Sequence, residues 1–290
     1  MNPKAILPKL EVSIGINGAP RRLRTAIEME LRESFRLGDL RAAELAEELE
    51  KSIALLIQKI QAEKEANGVA PVLSLSSVSS RAVMGSCWIE PTDSTAIAKA
   101  KEHRLHSDAF LAEIKNLTFT EFELFGARVL KELGASTVSV TPHSDDQGID
   151  FYGVLSIGEF GGIPGPFLQL ARDVQLRFAG QAKHYPNTPI GPSEIRELVG
   201  AIALARHKIF TNGGDVFEDL GLRAFNPLLA LFFTTGRFTS GARELARKAG
   251  IIARSGEQLA LFLAERGVGM VRDDIAVKFD RDLFRRWLNN

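Results

Sequence analysis

Apolar residues recur every three or four positions through much of residues 20 to 115, and this spacing predicts helices. The longest such stretch is "DLRAAELAEELEKSIALLIQKIQAEKEANG", in which Asp39 is placed to cap the start and Asn67 with Gly68 to end the helix. Its apolar positions form one face: Leu45, Leu49, Ile53, Leu56 and Ile60. This face packs either inside the protein or against a second subunit, and the mixed signs of the charges argue against a membrane-surface helix.

Two stretches of this region follow other patterns. Residues 9 to 16, "KLEVSIGI", alternate between apolar and polar side chains and predict a short strand. Residues 69 to 96 are rich in serine and contain proline, which predicts a loop with one short strand. No base or oxyanion site accompanies these serines, so none of them is predicted to be a nucleophile.

From residue 116 onward, strand-like and helix-like segments alternate. A helix in "LTFTEFELFGARVLKELG" is followed by three strands, a helix that begins near Pro192, and the apolar run "PLLALFFTT". The complete order, α-β-β-β-α-β-α-β-α, predicts an α/β fold with a mixed central sheet flanked by helices. We therefore predict two domains: a mostly helical N-terminal region at 1–114, for assembly, regulation or the binding of DNA or a partner, and a sheet domain at 115–290 with a basic C-terminal tail.

Composition limits the function classes. The 36 basic and 36 acidic side chains give a net charge of zero, so any binding of phosphate groups must come from local patches. The single cysteine, Cys87, allows no internal disulfide, and reducing cytoplasm is the expected location. No apolar stretch is long enough to predict a membrane span. A zinc-type cysteine and histidine array, a Walker loop and a GxGxxG fingerprint are all missing from the sequence.

The stretch "GQAKHY" places a glutamine and a lysine on the same face of a predicted strand, because side chains two apart in a strand point the same way. Lysine is disfavoured in strands and in the interior, so Gln181 and Lys183 mark either a solvated edge or a polar site. Asp150, in the strand segment "DDQGIDFYG", is equally unusual. Adjacent strands would bring these residues to one end of the sheet.

A carboxylate, an amide oxygen and a lysine at one place suit metal-assisted cleavage of a phosphodiester. Mg²⁺ prefers oxygen ligands: Asp150 would be the anchor, with the Gln181 side-chain carbonyl, the Ala182 backbone carbonyl and Glu123 of the preceding helix as further ligands. Lys183 would lie beside the scissile phosphate and offset the charge that develops there. From spacing alone, a purely structural Asp–Lys pair stays an alternative.

Four blocks over residues 116 to about 266 resemble, in order, the catalytic domain of Mrr-like restriction endonucleases, a branch of the PD-(D/E)xK nuclease superfamily. "EFELFGARVLKELG" resembles the opening helix, with Phe122 and Glu123 at its Phe-Glu pair. "DDQGIDFYG" resembles the metal-ligand strand, with Asp150 at the catalytic position and Asp146 at an accompanying acid. "GQAKHYPNTPIGPSEIRELVGAI" resembles the next block, with Gln-x-Lys in place of Glu-x-Lys, and "LALFFTTGRFTSGARELARKAGIIARSGEQLALFL" resembles the closing block.

The resemblance implies a restriction-endonuclease-like fold and a Mg²⁺-dependent DNA endonuclease, with Mn²⁺ able to replace Mg²⁺, acting in restriction or in defence against foreign or modified DNA. Two active sites are normally needed to cut both strands, so a homodimer or higher oligomer is expected, with a partner subunit of a defence system as a further partner. The chain departs from the family in two insertions, "GGIPGP" and "TNGGDVFEDLGLRAFN". Its N-terminal region does not match the winged-helix DNA-binding domain that often accompanies this nuclease, which leaves open where DNA is read.

Several further residues are candidates for secondary roles. Glu121 is the alternative to Glu123, His184 is predicted to point to the other face of its strand, and His143 is a candidate phosphate contact before Asp150. The candidate DNA-phosphate contacts are Ser193, Arg196, Arg237, Arg243 and Arg247. Ser193 and Arg196 stand at a helix start, which suits phosphate oxygens. The three arginines lie in a basic stretch, which either contacts the phosphate backbone or forms a solvated helix face.

Two other functions remain compatible with the residues. The chain could be a nuclease-fold subunit that is gated by a partner or catalytically silent and serves in binding. It could also be a nuclease that acts on branched DNA or on RNA. Metal-dependent cutting of plain duplex, compared with methylated duplex, junction DNA and RNA, separates these readings.

Overall fold

The computed structural model describes residues 1–79, 81–141, 148–159, 165–166, 169, 172–209, 218–222, 225–273 and 276–290. The helices and strands are, in chain order, α1 (Pro3–Ile14), β1 (Arg21–Arg22), α2 (Leu23–Glu33), α3 (Asp39–Ala66), β2 (Leu73–Leu75), β3 (Ala82–Gly85), α4 (Thr95–Arg104), α5 (Ser107–Lys115), α6 (Phe119–Glu132), β4 (Thr137–Val140), β5 (Phe151–Ser156), β6 (Gln175–Lys183), α7 (Pro192–Arg206), β7 (Leu228–Thr234), α8 (Ser240–Ala249), β8 (Ile252–Arg254), α9 (Gly256–Arg266), β9 (Met270–Arg272), β10 (Val277–Phe279) and α10 (Arg281–Asn289). Within these ranges, every helix is too short or too polar to serve as a membrane span.

The chain divides into two compact units. The first joins Met1–Phe110 with Ala260–Asp280, and the second joins Leu111–Leu259 with Arg281–Asn290. The inclusion of a segment near the C-terminus in the first unit is not visible in the sequence pattern. The functional division at 1–114 and 115–290 stays a prediction.

The core of the first unit is built by α1, α2 and α3. On α3, Leu45, Ile53 and Ile57 are buried, and Leu49 and Ile60 pack partly buried against the same core. The apolar face of the long helix is therefore used within the unit, which confirms the intramolecular reading. Gly38 is the N-cap residue of α3, and Asp39, expected to cap it, is the first residue of the helix instead.

Residues 9 to 16 do not form the predicted strand: most of them lie in α1. Asn2 caps this helix by accepting a hydrogen bond from the Lys4 backbone N–H at 2.9 Å. The buried positions of α1 are Ile6, Leu7, Leu10 and Ile14, whereas Val12 is 84% exposed. The strand prediction was wrong because it counted the exposed Val12 among the buried apolar positions. Pro8, which is unusual inside a helix, also obscured the helical pattern.

The serine-rich segment holds two strands, β2 and β3, where one was predicted, and Glu90 organises its loop. The Ser76 hydroxyl donates to one oxygen of the buried Glu90 carboxylate at 2.5 Å, and the Ser77 backbone N–H donates to the other at 3.0 Å. Burial alone would raise the pKa of Glu90, but these hydrogen bonds and the charge of Lys101 outweigh it and lower that pKa. These two serines therefore serve as donors to a structural carboxylate.

The second unit contains a five-stranded sheet in the order β4-β5-β6-β7-β8. β4, β5 and β6 are antiparallel to one another, whereas β6, β7 and β8 are parallel. Helix α6 packs on one face, where Gly126 meets the ring of Phe151, and α7 packs on the other, where Ile195 and Leu198 share a cluster with Tyr152. The described part of the chain thus confirms the predicted α/β class with a mixed sheet flanked by helices.

The basic C-terminal tail forms α10, which packs on α6 within the second unit. Trp287 Nε1 donates to the Glu132 carboxylate at 2.8 Å, and the Arg285 guanidinium donates to Glu121 at 2.7 Å. The Phe284 ring is fully buried and stacks on Trp287. These contacts give several of the tail's aromatic and basic side chains a structural role.

Candidate active site

Asp150 is held firmly although it lies just before the first residue of β5. Gly148, with φ of +84°, turns the chain into this position. The Asp150 backbone N–H donates to Gly180 O, and its backbone oxygen accepts from Thr141 N, both at 2.9 Å. Its side chain is 6% exposed, and Oδ2 accepts a hydrogen bond from the Ala182 backbone N–H at 2.6 Å. The carboxylate is therefore fixed in position by β6.

Gln181 lies beside Asp150 at the end of the β5–β6 pairing. The register ends with the pair of Phe151 and Gly180, and Asp150 and Gln181 are the residues next to that pair on their two segments. The Gln181 side chain is 2% exposed, and its Oε1 has no hydrogen-bond partner among the described residues. A buried polar atom left unsatisfied costs about 1–3 kcal/mol, so this oxygen is suited to an electropositive ligand.

Lys183 continues the same face of β6, two residues beyond Gln181. Its Nζ lies 3.8 Å from Glu197 Oε2 on α7, and the Lys183 side chain is 26% exposed. The Ser193 hydroxyl, which donates to Glu194 at 2.7 Å, lowers the pKa of that carboxyl, with smaller contributions from backbone N–H groups and the charge of Lys183. The start of α7 therefore places two carboxylates around the ammonium group.

The two candidate glutamates of α6 differ in what they contact. Glu121 completes a capping box: its carboxylate accepts from the Thr118 backbone N–H at 2.7 Å, the Thr118 hydroxyl accepts from the Glu121 N–H, and Arg285 pairs with the same carboxylate. Glu121 is thus engaged in holding the helix. Glu123 is 9% exposed on a helix that packs on β5 and β6, and its role as a metal ligand stays a prediction.

Phe151, the residue after Asp150, is clamped between two glycines. A Cβ on Gly180 would lie 2.2 Å from the Phe151 ring, and one on Gly126 would lie 2.5 Å from it. The ring is fully buried and stacks on Phe233 at 5.2 Å. Close approach of α6 and β6 to this ring holds the strand that carries the candidate metal ligand.

Replacement of Gly180 by alanine is expected to lower the free energy of unfolding by about 1–3 kcal/mol, because the added methyl group overlaps the Phe151 ring. The matched control is Gly200→Ala on α7, where nothing lies within 4 Å of the added Cβ. That change is expected to stabilise by about 0.5–1 kcal/mol, since alanine favours helix over glycine. Urea denaturation of both variants measures the difference. Equal stability of the two variants would show that the clamp does not exist.

The remaining predicted residues lie around this centre or outside the described ranges. The His184 ring nitrogen donates to Lys115 O at 3.2 Å and its ring contacts Phe119 and Phe122, so it faces α6, away from Gln181 and Lys183. His143 and Asp146 lie outside the described residues, as does most of the two insertions.

The candidate DNA-contacting residues lie on α7 and along the segment that leads from β7 into α8. Ser193 is the second residue of α7, whose N-cap is Gly191, and Arg196 is exposed one turn later. Arg237, Arg243 and Arg247 are exposed as well, and each of Arg237 and Arg247 pairs with a glutamate. Exposed pairs of this kind contribute little to stability, so these guanidinium groups can turn to phosphate oxygens.

Sequence reasoning missed Glu197, the carboxylate nearest to Lys183 in α7. It belongs to the helix segment that was predicted, but its approach to Lys183 depends on how α7 packs on the sheet, which no local pattern encodes. Within the described ranges, no three carboxylate, imidazole or thiolate groups lie close enough to share a metal ion. A cation beside Asp150 would thus have at most two such groups as ligands, with amide and carbonyl oxygens and water as the others, which Mg²⁺ accepts.

Residues 114–216 match a protein-family model described as a restriction endonuclease, of the Mrr catalytic type. The match covers both strands of the candidate site and confirms the resemblance found in the sequence. Among solved structures, the MspJI restriction endonuclease in complex with a 27-mer oligonucleotide is 17% identical with a TM-score of 0.39, over 70% of this chain and 39% of that chain. The restriction endonuclease FokI is 11% identical with a TM-score of 0.34, over 91% of this chain and 43% of that chain.

The chain therefore spans about two fifths of the length of each of these two enzymes. A comparison with curated proteins found no match.

Proposed function

We propose that this chain, whose residues 114–216 belong to the restriction endonuclease family, is a divalent-metal-dependent endonuclease that hydrolyses phosphodiester bonds in DNA. One observation carries the proposal. The carboxylate of Asp150, fixed by the Ala182 N–H, adjoins the end of the strand that carries Gln181, with its buried and unsatisfied oxygen, and Lys183, with its ammonium group. A structural Asp–Lys pair would leave the Gln181 oxygen unexplained.

The donor set fits a hard cation. Asp150 would supply the charged oxygen and Gln181 a neutral one, with the Ala182 backbone carbonyl and Glu123 as the further ligands that we predict. When bound, such a cation would neutralise charge on the phosphodiester and make water a better nucleophile at neutral pH. Mg²⁺ is the expected ion, because it accepts few protein ligands and keeps several waters, and Mn²⁺ is expected to replace it.

Lys183 would contribute by its charge. Lys183 directly follows Ala182, whose backbone N–H donates to the Asp150 carboxylate. The backbone that carries the lysine side chain is therefore fixed relative to Asp150. Its pairing with Glu197, at 3.8 Å and partly exposed, is weak enough to be exchanged for a phosphate oxygen. There the ammonium would orient the substrate and offset the negative charge that grows as water attacks.

Binding of the duplex would use cationic side chains around this centre. Arg243 and Arg247 lie one turn apart on α8 and share an exposed face. Ser193 and Arg196 stand in the first turns of α7, where backbone N–H groups favour anions. We assign these residues, together with Arg237, to phosphate contacts that position the strand without reading its sequence.

A role in restriction or defence against foreign or modified DNA follows from the family of the segment. Since the described residues of one chain hold one candidate site, we expect a homodimer or a higher oligomer to cut both strands. A partner subunit is an alternative way to bring two sites together.

The experiment is cleavage of supercoiled plasmid by the wild-type chain with Mg²⁺, with Mn²⁺ and with EDTA. Nicked and linear DNA are expected with either metal, and none with EDTA. Methylated duplex, junction DNA and RNA run in parallel decide the substrate class. Cutting that persists in EDTA would overturn the metal requirement, and a complete lack of cutting on all four substrates would favour a silent or partner-gated binding subunit.

A further inference from the structure

A cavity of about 320 Å³ lies within the first unit. Its lining comes from the loop after α1, the loop after β3, α4 with the turn that follows it, and the start of β10. Cys87 and Val277 are 1% and 7% exposed, whereas Trp88 and Glu102 are partly exposed and Asn17 is exposed. The first two residues therefore form the inner end, and the other three are open to a ligand that enters from solvent.

The wall that carries Trp88 is held in place without a ligand. The Cys87 backbone N–H donates to Ile16 O at 2.8 Å, and the Trp88 backbone oxygen accepts from Lys101 Nζ at 2.8 Å. At Gly85 a Cβ would lie 2.4 Å from Ile16 O, so only glycine allows the loop after α1 to approach the loop after β3 this closely. Because this wall is already ordered, binding would cost little conformational entropy there.

The opposite wall is fixed to the hairpin of β9 and β10, in which Arg272 pairs with Val277. His106 Nε2 donates to Val277 O at 2.8 Å and so holds the imidazole ring against β10. The Glu102 carboxylate is ion-paired with Arg272. Both polar side chains of this wall are thus positioned by the same two residues of the hairpin.

The charge of the lining disfavours an anion inside the cavity. Among the described residues that line it, Glu102 is the only acidic one and none is lysine or arginine. Arg272 compensates Glu102 from outside the lining, so no unpaired carboxylate is left to attract a cation. This pattern favours a neutral ligand that carries polar groups, and it separates this cavity from the phosphate contacts assigned to the arginines of the second unit.

The hydrogen-bonding groups of the lining suit a planar ring with an amino group. Neither the Asn17 amide nor the Trp88 indole N–H has a hydrogen-bond partner among the described residues. An asparagine amide offers a donor and an acceptor side by side, which is the arrangement that pairs with adenine. A carboxylate has about four acceptor sites, so Glu102 can accept an N–H group of a ligand while it stays paired with Arg272.

Shape and apolar surface agree with a flat heterocycle. The indole of Trp88 presents a face on which a base can stack, and Leu105 and Ala276 supply further apolar surface. A volume of about 320 Å³ stands at the lower end of the range for small-molecule sites, about 300–1,000 Å³. The cavity therefore has room for one heterocycle and not for an extended chain.

We propose that this cavity binds a nucleobase with an exocyclic amino group, adenine or cytosine, stacked on Trp88 and hydrogen-bonded to Asn17 and Glu102. Two sources share this chemistry: a free nucleoside, and a base that has turned out of a DNA duplex while its phosphates stay outside the cavity. The proposal concerns the first unit and does not depend on cleavage by the second.

The first test is a calorimetric titration of the wild-type chain with adenosine, cytidine, thymidine and inorganic phosphate. Adenosine and cytidine are expected to bind. Thymidine should bind at least about tenfold more weakly, because its base presents a carbonyl oxygen where Glu102 requires a donor. Phosphate alone should not bind. Thymidine binding as tight as that of adenosine and cytidine overturns the proposal.

Two variants locate the binding. Trp88→Leu removes the stacking surface, and Asn17→Asp removes the amide donor at nearly unchanged shape, so each is expected to weaken adenosine binding about tenfold or more. Asn116→Asp makes the same chemical change at an exposed asparagine of the second unit and should leave binding unchanged. Because Asn17 is exposed, Asn17→Asp is expected to melt at the wild-type temperature. Wild-type adenosine affinity in folded Asn17→Asp overturns the assigned site.

Duplex binding distinguishes the two sources. Anisotropy in EDTA, where the DNA is not expected to be cut, compares a fully paired duplex with one that contains a single mismatched adenine, which is easier to unstack. Tighter binding of the mismatched duplex that Trp88→Leu abolishes supports a base of the DNA as the ligand. Nucleoside binding without this preference supports a free nucleoside. The absence of both overturns the proposal, whatever the wild type does in plasmid cleavage.

Discussion

Asp150→Asn is expected to slow DNA cleavage by at least about 10³-fold while the protein stays folded. Of the pair Asp150 and Gln181, only Asp150 offers a charged oxygen to the metal. Removal of a single electrostatic stabiliser from an enzyme site already lowers the rate about 10²–10³-fold. Because asparagine retains an oxygen that accepts the Ala182 N–H, the backbone around the site keeps its hydrogen bond. Loss of rate should therefore come with loss of metal affinity and without loss of structure.

The measurement for Asp150→Asn is single-turnover cleavage of a short duplex at saturating Mg²⁺, with circular dichroism as a check on folding. Asp282→Asn, on the exposed surface of α10, provides the same chemical change away from the site and should cleave at the wild-type rate. Wild-type cleavage by folded Asp150→Asn would remove the residue from the mechanism.

Lys183→Met is expected to slow cleavage by about 10²–10³-fold, since the ammonium group no longer offsets the charge that develops on the phosphate. The effect on the metal should be opposite to that of Asp150→Asn. A cation beside Asp150 and the ammonium group of Lys183 repel each other, so removal of the ammonium should leave metal affinity unchanged or raise it. Glu197, which loses its partner, is 60% exposed and remains hydrated at little cost.

Cleavage rates and Mn²⁺ titrations of the same Lys183→Met preparation measure these two effects separately. Lys131→Met serves as the matched control and should behave as the wild type in both assays. A Lys183→Met protein that loses rate and metal affinity together would indicate that the lysine only maintains the structure of the site.

Much of the fold of the second unit could be predicted, because the signals for its strands and helices lie within short stretches of the sequence. Glycine precedes Asp150 and proline follows the strand that carries Gln181, and α6 carries a complete capping signal at Thr118 and Glu121. The order of the strands and helices then leaves few arrangements of the sheet. This is why the α/β class, and the placement of Asp150 and Gln181 on adjacent strands, could be predicted from the residues.

The parts that could not be predicted depend on contacts between distant segments. Glu197 approaches Lys183 only when α7 packs on the sheet, and the cavity of the first unit is lined by separate segments of the chain, from Asn17 to Val277. Local pattern also misled at α1, where the face made by Ile6, Leu10 and Ile14 was hidden by Pro8 and by an exposed valine. Spacing along the chain describes one element at a time, whereas these features arise between elements.

The central proposal is that Asp150 and Gln181 hold a divalent cation. The most direct measurement is an anomalous-scattering map from crystals of the wild-type chain grown with Mn²⁺. We predict one Mn²⁺ peak bonded to a carboxylate oxygen of Asp150 and to Gln181 Oε1, at distances of about 2.0–2.2 Å, and no such peak in crystals of Asp150→Asn. Mn²⁺ bound elsewhere, in a protein that cuts DNA with Mn²⁺, would contradict it.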